Sequence, residues 1–513
     1  MVLTQTPFST SYIMMIKIFG ILSLIHALLL SYPDSILIAS DKDGSHQAES
    51  SIQTIVIHGV AQPSDQYSYR LEEFIVPDGI GALEIEFDYR GRHIHSEIEI
   101  GLFDPVGFRG TSRFSKSTFI VSKYRTTPSY FPGPVSAGTW QVSLGFPTVR
   151  AESEYEILIR LIPENHPEFY GPLNDPLRDE PDWYHGDFHT HTGHSDAFGC
   201  HDTEGRRSPC QTYQVAEASH RNQLDFVAIN DHNTVSHHQD IIGIQPTFPN
   251  LLLIRGQEVT SFYGHANVMG TSMPIDFRIG YGGRTIADIQ KESKKYGSLF
   301  VINHPGRETG PSCTGCGWSA EETDYTMVDA VEIVNGTNVE TEISGIPFWQ
   351  DLLNQGYRIT AIGGSDDHGA GFGRAQPGTP TTVVWAENLS EQAIIDGVKS
   401  GKVYLKTERA SDPDITFYAT SGDQTWDMGG TISMDEYHNE SIVFHLTTTH
   451  QDNLTVEWIL NGVTVQLQET APLDKEGEMH FSYALEQPVS GWLRANLRRD
   501  NKITTITNPV YMK

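Results

Sequence analysis

The chain has 513 residues, of which 38% are apolar and 19% charged, and this composition excludes an intrinsically disordered protein. At about 100–200 residues per domain, this length predicts two to four domains. The net charge of −30 at pH 7 opposes contact with nucleic-acid phosphates. No run of Lys and Arg is long enough to offset it, so no nucleic-acid binding surface is expected.

The N-terminal segment has the pattern of an export signal. Lys17 precedes an apolar run from Ile18 to Leu30, and small residues follow near 39–40. The run is shorter than the about 20 residues that a membrane-spanning helix needs. We therefore expect residues 1–40 to be a signal peptide, with an uncleaved N-terminal anchor as the alternative. The protein is accordingly expected to be secreted or exported, to the periplasm or the extracellular space.

Residues 50–164 are predicted to form an antiparallel β-sandwich, because runs such as Ile52–Val60 and Ala82–Asp88 are rich in β-branched residues or alternate in polarity. Residues 165–182 contain four prolines and indicate a linker. Simple packing on a neighbouring domain is the expected role of this sandwich, because no sugar-binding constellation is visible. Contact with glycans or a cell surface is the alternative.

The pattern changes at residue 183. Short apolar strands alternate with helical stretches up to residue 409, which indicates a parallel sheet with crossover helices. The number of repeats favours a barrel. Residues 410–513 return to alternating polarity, with a hairpin signal at Asn461-Gly462, and predict an immunoglobulin-like sandwich.

The four cysteines of the chain are Cys200, Cys210, Cys313 and Cys316. An even number in an exported protein favours disulfides, here between the local partners Cys200 and Cys210 and between Cys313 and Cys316. The CxxC pair leaves a redox or zinc motif open as an alternative.

The predicted strands of the middle region end in residue types that bind metals. In parallel α/β barrels the carboxyl ends of the strands converge on one face, where the active site lies. Two histidines separated by one residue on a strand point to the same side. Asp187 and Asp231 are expected to orient ligating imidazoles. The candidate ligands, in chain order, are His189, His191, Asp196, His232, Glu258, His265, His304, Asp366 and His368.

These motifs resemble the PHP (polymerase and histidinol phosphatase) family over about residues 183–409, and the run Gly264-His265-Ala266-Asn267 is similar to its carbaryl-hydrolase-like branch. The resemblance implies a distorted (β/α)7 barrel, flanked here by two β-sandwich domains. It implies two or three divalent ions. One is held by His189, His191, Glu258 and Asp366; a second, bridged by Glu258, by His265 and His304; a third by Asp196, His232 and His368.

A hydrolase follows from such a centre. Zinc, manganese or iron suits these ligands, and such ions lower the pKa of water to give a nucleophile. We expect a phosphoesterase acting on monoesters or diesters, with Glu258 and Asp366 in the catalytic set. Arg307 or Arg374 would grip a phosphoryl group and His194 could protonate the leaving group. The alternatives are a carbamate, ester or amide hydrolase acting on a small molecule, and a noncatalytic surface protein braced by metal.

Overall fold

The computed structural model describes residues 51–310, 313–373, 375–408, 410–433, 441–449, 453–469, 478–486 and 489–513, together with the backbone of 37–39. Apart from those three residues, the predicted targeting segment 1–40 lies outside the described residues. None of the described helices is long and apolar enough to cross a bilayer.

Strands dominate the described residues and all the helices among them are short. The N-terminal part comprises β1 Leu37–Ala39, β2 Gln53–Ala61, β3 Tyr69–Val76, β4 Ile80–Tyr89, β5 Ser96–Asp104, β6 Gly107–Arg113, β7 Thr118–Ser122, β8 Gly138–Val149, β9 Ser153–Pro163 and α1 Pro167–Tyr170. The middle part comprises β10 Asp182–Thr190, β11 Cys200–His201, β12 Arg207–Ser208, α2 Thr212–Arg221, β13 Phe226–Ile229, α3 His238–Ile244, β14 Leu252–Thr260, β15 His265–Met269, α4 Ile286–Lys295, β16 Leu299–Ile302, β17 Ala330–Asn335, α5 Ile346–Asn354, β18 Thr360–Gly364, β19 Thr381–Ala386, α6 Glu391–Ser400 and β20 Val403–Lys406. The C-terminal part comprises β21 Thr416–Ser421, β22 Gln424–Asp427, β23 Thr431–Ile432, β24 Ile442–Thr448, β25 Leu454–Leu460, β26 Val463–Glu469, β27 Met479–Leu485, β28 Gly491–Arg499, β29 Lys502–Thr507 and β30 Val510–Met512.

Two antiparallel sheets face each other in the N-terminal part. One has the order β1-β2-β9-β4-β7 and the other β3-β8-β5-β6. Strand β9 shows why they pack: Tyr155, Ile157 and Ile159 are buried in the shared core, whereas Glu154 and Glu156 between them are exposed. Alternation with period 2 gives such a strand one apolar face. The arrangement fits the sandwich predicted for residues 50–164.

The predicted (β/α)7 barrel is wrong. The middle strands belong to a mixed sheet with the order β18-β17-β16-β15-β14-β13-β10-β19-β20-β29-β28-β25-β26, which continues into the C-terminal part. The pairs β14/β15, β15/β16 and β10/β19 are antiparallel. Between β14 and β15 the chain reverses in residues 261–264, where Gly264 adopts φ 150°. A barrel of parallel strands needs a crossover helix at that connection, and no helix fits in so short a turn.

The sheet nevertheless bends enough to bring distant strand ends together. The segment after β18 returns to β10, where the Asp366 backbone N–H donates to the carbonyl of His189 at 2.8 Å and the His191 N–H donates to the carbonyl of Asp367 at 3.0 Å. These two contacts bring the first candidate ligands, His189 and His191, close to Asp366, which lies far along the sequence.

In the C-terminal part, a four-stranded sheet of order β22-β21-β24-β27 packs on the end of the long sheet. Phe417 and Phe444 of the smaller sheet share a core with Trp458 and Leu493 of the larger one. The second layer of this part is therefore not a separate sheet but the continuation of the sheet that begins in the middle part.

Both expected disulfides are present. Cys200 is bonded to Cys210 across the β11–β12 hairpin, and Cys313 is bonded to Cys316 in the loop after β16. This confirms the pairing of nearest neighbours.

A partly buried ionic cluster joins β10 and β20 to the start of the C-terminal part. The Lys406 ammonium is 0% exposed and lies 2.7 Å from Asp414 Oδ1, which also accepts from the Tyr404 hydroxyl at 2.6 Å. His185 Nε2 lies 3.2 Å from the same oxygen. Burial would raise the pKa of Asp414, but the hydrogen bonds from His185, Lys406 and Tyr404 hold it below its usual range.

Asp414→Asn should lower the free energy of unfolding at pH 7, because it leaves the buried Lys406 without its carboxylate. The expected loss is only about 1–2 kcal/mol, since Asp414 itself is 63% exposed. A depressed folded pKa stabilises the protein above the unfolded value, about 3.9, and this contribution is lost as pH falls through the folded pKa. Urea unfolding from pH 7 to pH 3 should therefore show the wild type and the variant converging below about pH 4. A constant difference over that range would contradict the assigned role.

Candidate metal centre

The nine candidate ligands meet at one end of the middle strands. His189 lies in β10, Glu258 in β14 and His265 at the start of β15, whereas His304 and Asp366 each follow a strand by two residues. They fall into overlapping groups whose ligand atoms lie within 4.8 Å of one another. These groups are His189 with His191 and Glu258; His189 with His304 and Asp366; His232 with Glu258 and His265; and His191 with Asp196, His232 and His368.

Glu258 is the central carboxylate of this arrangement. It is 0% exposed, and its Oε1 lies 3.2 Å from His265 Nδ1 and 3.4 Å from His304 Nε2. The same oxygen lies 3.4 Å from His189 Nε2, and Oε2 lies 3.6 Å from His191 Nε2. A carboxylate in this position can bridge two cations, which a neutral imidazole cannot do.

Asp366 closes the group around the first expected ion. Its Oδ1 lies 3.2 Å from His191 Nε2 and 3.6 Å from His189 Nε2. Its neighbour Asp367 instead accepts backbone N–H groups from Gly369 and Gly371, at 3.1 and 2.9 Å, and so orders the loop. Asp366, the aspartate that the sequence analysis names as a ligand, is the one whose carboxylate lies among the imidazoles.

The third expected group is more open to solvent. Asp196 Oδ1 lies 3.1 Å from His368 Nε2 and 3.5 Å from His232 Nε2. His368 is about one third exposed and His232 about one quarter, whereas His191 behind them is buried. A ligand could therefore reach this side of the centre from the cavity described below.

The fit to metal rests on buried polar atoms without partners. Among the described residues, His189 Nε2, His191 Nε2 and His265 Nδ1 are shielded from solvent and make no hydrogen bond. An unsatisfied buried polar group is costly, and native structures rarely keep several side by side unless a ligand or an ion satisfies them. All three atoms point at Glu258 or Asp366, so a cation at that place would satisfy them together.

Glu332, which the sequence interpretation missed, supports two of the ligands from behind. Its Oε1 lies 3.1 Å from His189 Nδ1, and its Oε2 accepts the backbone N–H of His304 at 2.8 Å. Carboxylates in this position fix the tautomer and the orientation of a ligating imidazole. Gly364 makes room for the contact, since a Cβ there would lie 2.7 Å from Glu332 Oε1 and 2.4 Å from His189 Cβ.

Two of the candidate ligands have strained backbones. His304 adopts φ 27° and Asp366 adopts φ 54°, in the left-handed region that costs a residue other than glycine about 1–3 kcal/mol. Such residues persist only where the surrounding structure holds them, and they cluster at functional sites. The surrounding structure therefore holds His304 and Asp366 in these conformations, in which both side chains lie in the group.

The ionisable groups of the site have shifted pKa values. Burial would raise the pKa of Glu258, but the charges of His232 and His189 hold it well below its usual range. Burial and the neighbouring His368 lower the pKa of His191 to about 4. At neutral pH the carboxylate is thus ionised and this imidazole is neutral, which are the forms that bind metals. The other rings differ: burial opposes the charged forms of His189, His232, His304 and His368, but nearby carboxylates raise the pKa of all four, that of His368 to about 9, so a bound cation would displace protons from these rings.

A cavity of about 730 Å³ opens over the centre. Arg307 lines its wall, is 37% exposed and donates from Nη1 to Asp366 Oδ2 at 3.2 Å. Asn335 contacts the same oxygen at 3.3 Å. The second arginine expected to grip phosphate, Arg374, lies outside the described residues. The other lining residues are Asp196, His232, Thr260, His265, His304, Cys313, Thr314, Gly336, Thr337, Asn338, Ser365, Asp366, His368 and Ala375.

His194 does not line the cavity, contrary to the role expected for it as a proton donor there. Its Nδ1 lies 2.7 Å from Ser236 Oγ and its Nε2 lies 2.9 Å from Asp240 Oδ2. Both ring nitrogens are therefore engaged away from the candidate ligands. Asp187 and Asp231 also differ from expectation: they accept from the backbone of His189 and of Thr192 rather than from a ligating ring.

Comparison with known proteins gives little further information. No protein family model matches the chain, and no curated protein matches it. Among solved structures, the chain is similar to the Glycosylation Associate Protein (Gap123) complex from Streptococcus agalactiae, at 9% identity over 43% of this chain and 78% of that one, with a TM-score of 0.14. A score this low carries no argument about fold or function. The functional interpretation therefore depends on the geometry of the site.

Proposed function

We propose that this protein is a metal-dependent hydrolase whose substrate is a phosphomonoester or phosphodiester. The observation that carries the proposal is the convergence of nine ligand-type side chains, Glu258 among them, with three buried imidazole nitrogens left without hydrogen-bond partners among the described residues. Zinc, manganese or iron would suit this mixture of imidazoles and carboxylates. Bound ions of this kind would supply Lewis acidity and an activated water.

Within this proposal, each residue of the site has a definite task. The nine ligands hold the ions, and Glu332 fixes the orientation of the His189 ring. Arg307 binds a substrate oxygen: a guanidinium has five N–H donors, and its described contact with Asp366 uses one of them. The carboxylates of the centre would repel an anionic substrate unless cations neutralise them, so we expect substrate binding to depend on metal.

Two further proposals rest on the sequence, the first of them on the order of the motifs. We propose that the chain is a divergent relative of the PHP family, although its sheet is not the barrel which that resemblance implies. We also propose that it is exported, because of the apolar run after Lys17.

The direct test is turnover of p-nitrophenyl phosphate and bis(p-nitrophenyl) phosphate by protein loaded with zinc, manganese or iron. We expect turnover that a chelator abolishes and that added metal restores. Metal-loaded protein that hydrolyses carbamate, carboxylate-ester or amide substrates but neither phosphoester would contradict the substrate class. Bound metal without turnover of any of these would favour a noncatalytic role.

Arg307→Met should raise KM for the phosphomonoester by about 10- to 100-fold, because a hydrogen bond to a charged group contributes about 1.5–3 kcal/mol. The metal content should stay that of the wild type, since Arg307 is not among the candidate ligands. Arg221→Met is a matched control, as this arginine lies on α2 and pairs with Glu217 on the surface. An unchanged KM in Arg307→Met would remove Arg307 from the substrate site.

A further inference from the structure

The Cys313–Cys316 disulfide lies in the wall of the proposed metal centre. Cys313 and Thr314 line the cavity, and Cys316 behind them is 0% exposed. Cys313 itself is partly exposed. The disulfide therefore has one sulfur that solvent can reach and one that faces the interior.

The backbone of this loop holds two of the candidate ligands. His265 Nε2 lies 3.0 Å from the carbonyl oxygen of Thr314, and His304 Nδ1 lies 3.2 Å from that of Cys316. A ring nitrogen facing a carbonyl donates its proton to it, which leaves the other nitrogen free as an acceptor. His265 Nδ1 and His304 Nε2 are thereby directed at Glu258 Oε1, and His265 Nδ1 has no hydrogen-bond partner among the described residues.

The buried sulfur also lies close to both rings. Cys316 Sγ and one nitrogen each from His265 and His304 lie within 4.8 Å of one another, and all three residues are buried. Two imidazoles and a thiolate are a ligand set that zinc favours. In the disulfide the sulfur carries no negative charge, and only reduction makes it a strong ligand.

We propose that reduction of the Cys313–Cys316 disulfide converts Cys316 into a metal ligand beside His265 and His304, so that the redox state of the loop changes the coordination of the second ion. The inference rests on the proposed metal-dependent function. An external thiolate attacks the accessible Cys313 Sγ, the S–S bond breaks and Cys316 leaves as a thiolate. A second external thiolate then attacks the external sulfur of this mixed disulfide and Cys313 leaves as a thiolate, so that two external thiols become one disulfide as the protein gains two electrons.

The position of the loop favours this direction of attack. Thiol exchange depends on access to the attacked sulfur and on the stability of the leaving thiolate. Cys313 is the accessible sulfur, and a cation held by His265 and His304 would stabilise the thiolate of Cys316. The reduced site would bind a soft cation such as zinc more tightly than the oxidised site, because a thiolate replaces an uncharged sulfur.

The test uses cobalt(II), since a thiolate bound to cobalt gives a charge-transfer absorption in the near-ultraviolet. Cys313→Ser leaves Cys316 as a free thiol, whereas Cys316→Ser removes it, and both variants lose the same disulfide. Titrated with cobalt, Cys313→Ser and wild type reduced with a trialkylphosphine should show the thiolate band. Oxidised wild type and Cys316→Ser should not.

Two results would overturn the inference, and they can be told apart. If Cys313→Ser binds cobalt, as seen in its visible d–d absorption, but shows no thiolate band, the metal centre stands and the redox-dependent ligand does not exist. If none of the four samples binds cobalt, the proposed metal centre fails and the inference fails with it.

Discussion

Glu258→Gln is expected to abolish stoichiometric metal binding and to lower metal-dependent turnover by more than about 100-fold, since even the partners behind a ligand contribute about 10- to 100-fold. The buried Glu258 carboxylate lies within 3.6 Å of nitrogen atoms of His189, His191, His265 and His304. Glutamine keeps the shape of the side chain but loses the charge, and its NH₂ group repels a cation. Elemental analysis and phosphoester turnover measure both effects.

Thermal unfolding separates this effect from misfolding. A ligand that binds the native state raises Tm in a concentration-dependent way, so added zinc should stabilise the wild type and not Glu258→Gln. Glu217→Gln, a change of the same chemistry at a half-exposed residue of α2, should behave as the wild type. A Glu258→Gln protein that keeps the metal content and the zinc-dependent Tm of the wild type would exclude Glu258 as a ligand.

Glu332→Gln should weaken metal affinity by about 10- to 100-fold while leaving the fold intact. Glutamine can still accept the His304 N–H through its amide oxygen, but it no longer provides the negative charge 3.1 Å from His189 Nδ1. The His189 ring then loses both a fixed orientation and part of its basicity. Competition with a chromogenic chelator measures the affinity.

The control for Glu332 is Glu322→Gln, an exposed carboxylate on the loop before β17. It removes the same charge from the chain without touching a ligand, so it should not change the affinity. A positioning role also predicts that turnover at saturating metal recovers in Glu332→Gln more fully than in Glu258→Gln. If Glu332→Gln binds metal as tightly as the wild type, the carboxylate has only a structural role.

The candidate ligands could be found in the sequence because most of them lie close to the end of a short apolar strand. His304 after Leu299–Ile302 and Asp366 after Thr360–Gly364 show this pattern, and the structure brings His304 to Glu258 and Asp366 to His304 and His189. Strand ends converge in many sheet architectures, so the grouping did not depend on the barrel. The local signal was therefore sufficient to predict which side chains lie together.

The direction of the strands could not be found in the same way. Hydrophobic alternation gives the existence of β14 and β15 but not their relative orientation, which depends on the short turn at residues 261–264. The continuation of the sheet through β20 and β29 joins residues about 100 positions apart, a pairing that no local pattern encodes. Glu332 did leave a signal, because it is a lone charge within the apolar run of β17, and a buried charge calls for a partner.

The central claim is that the chain holds metal at the residues around Glu258. The measurement that tests it most directly is the metal content of wild type and Glu258→Gln, each purified without chelator, incubated with zinc, manganese or iron and freed of unbound ions. The account predicts two or three ions per chain in the wild type and fewer than one in the variant. A wild type that retains less than one ion per chain of every metal would contradict it.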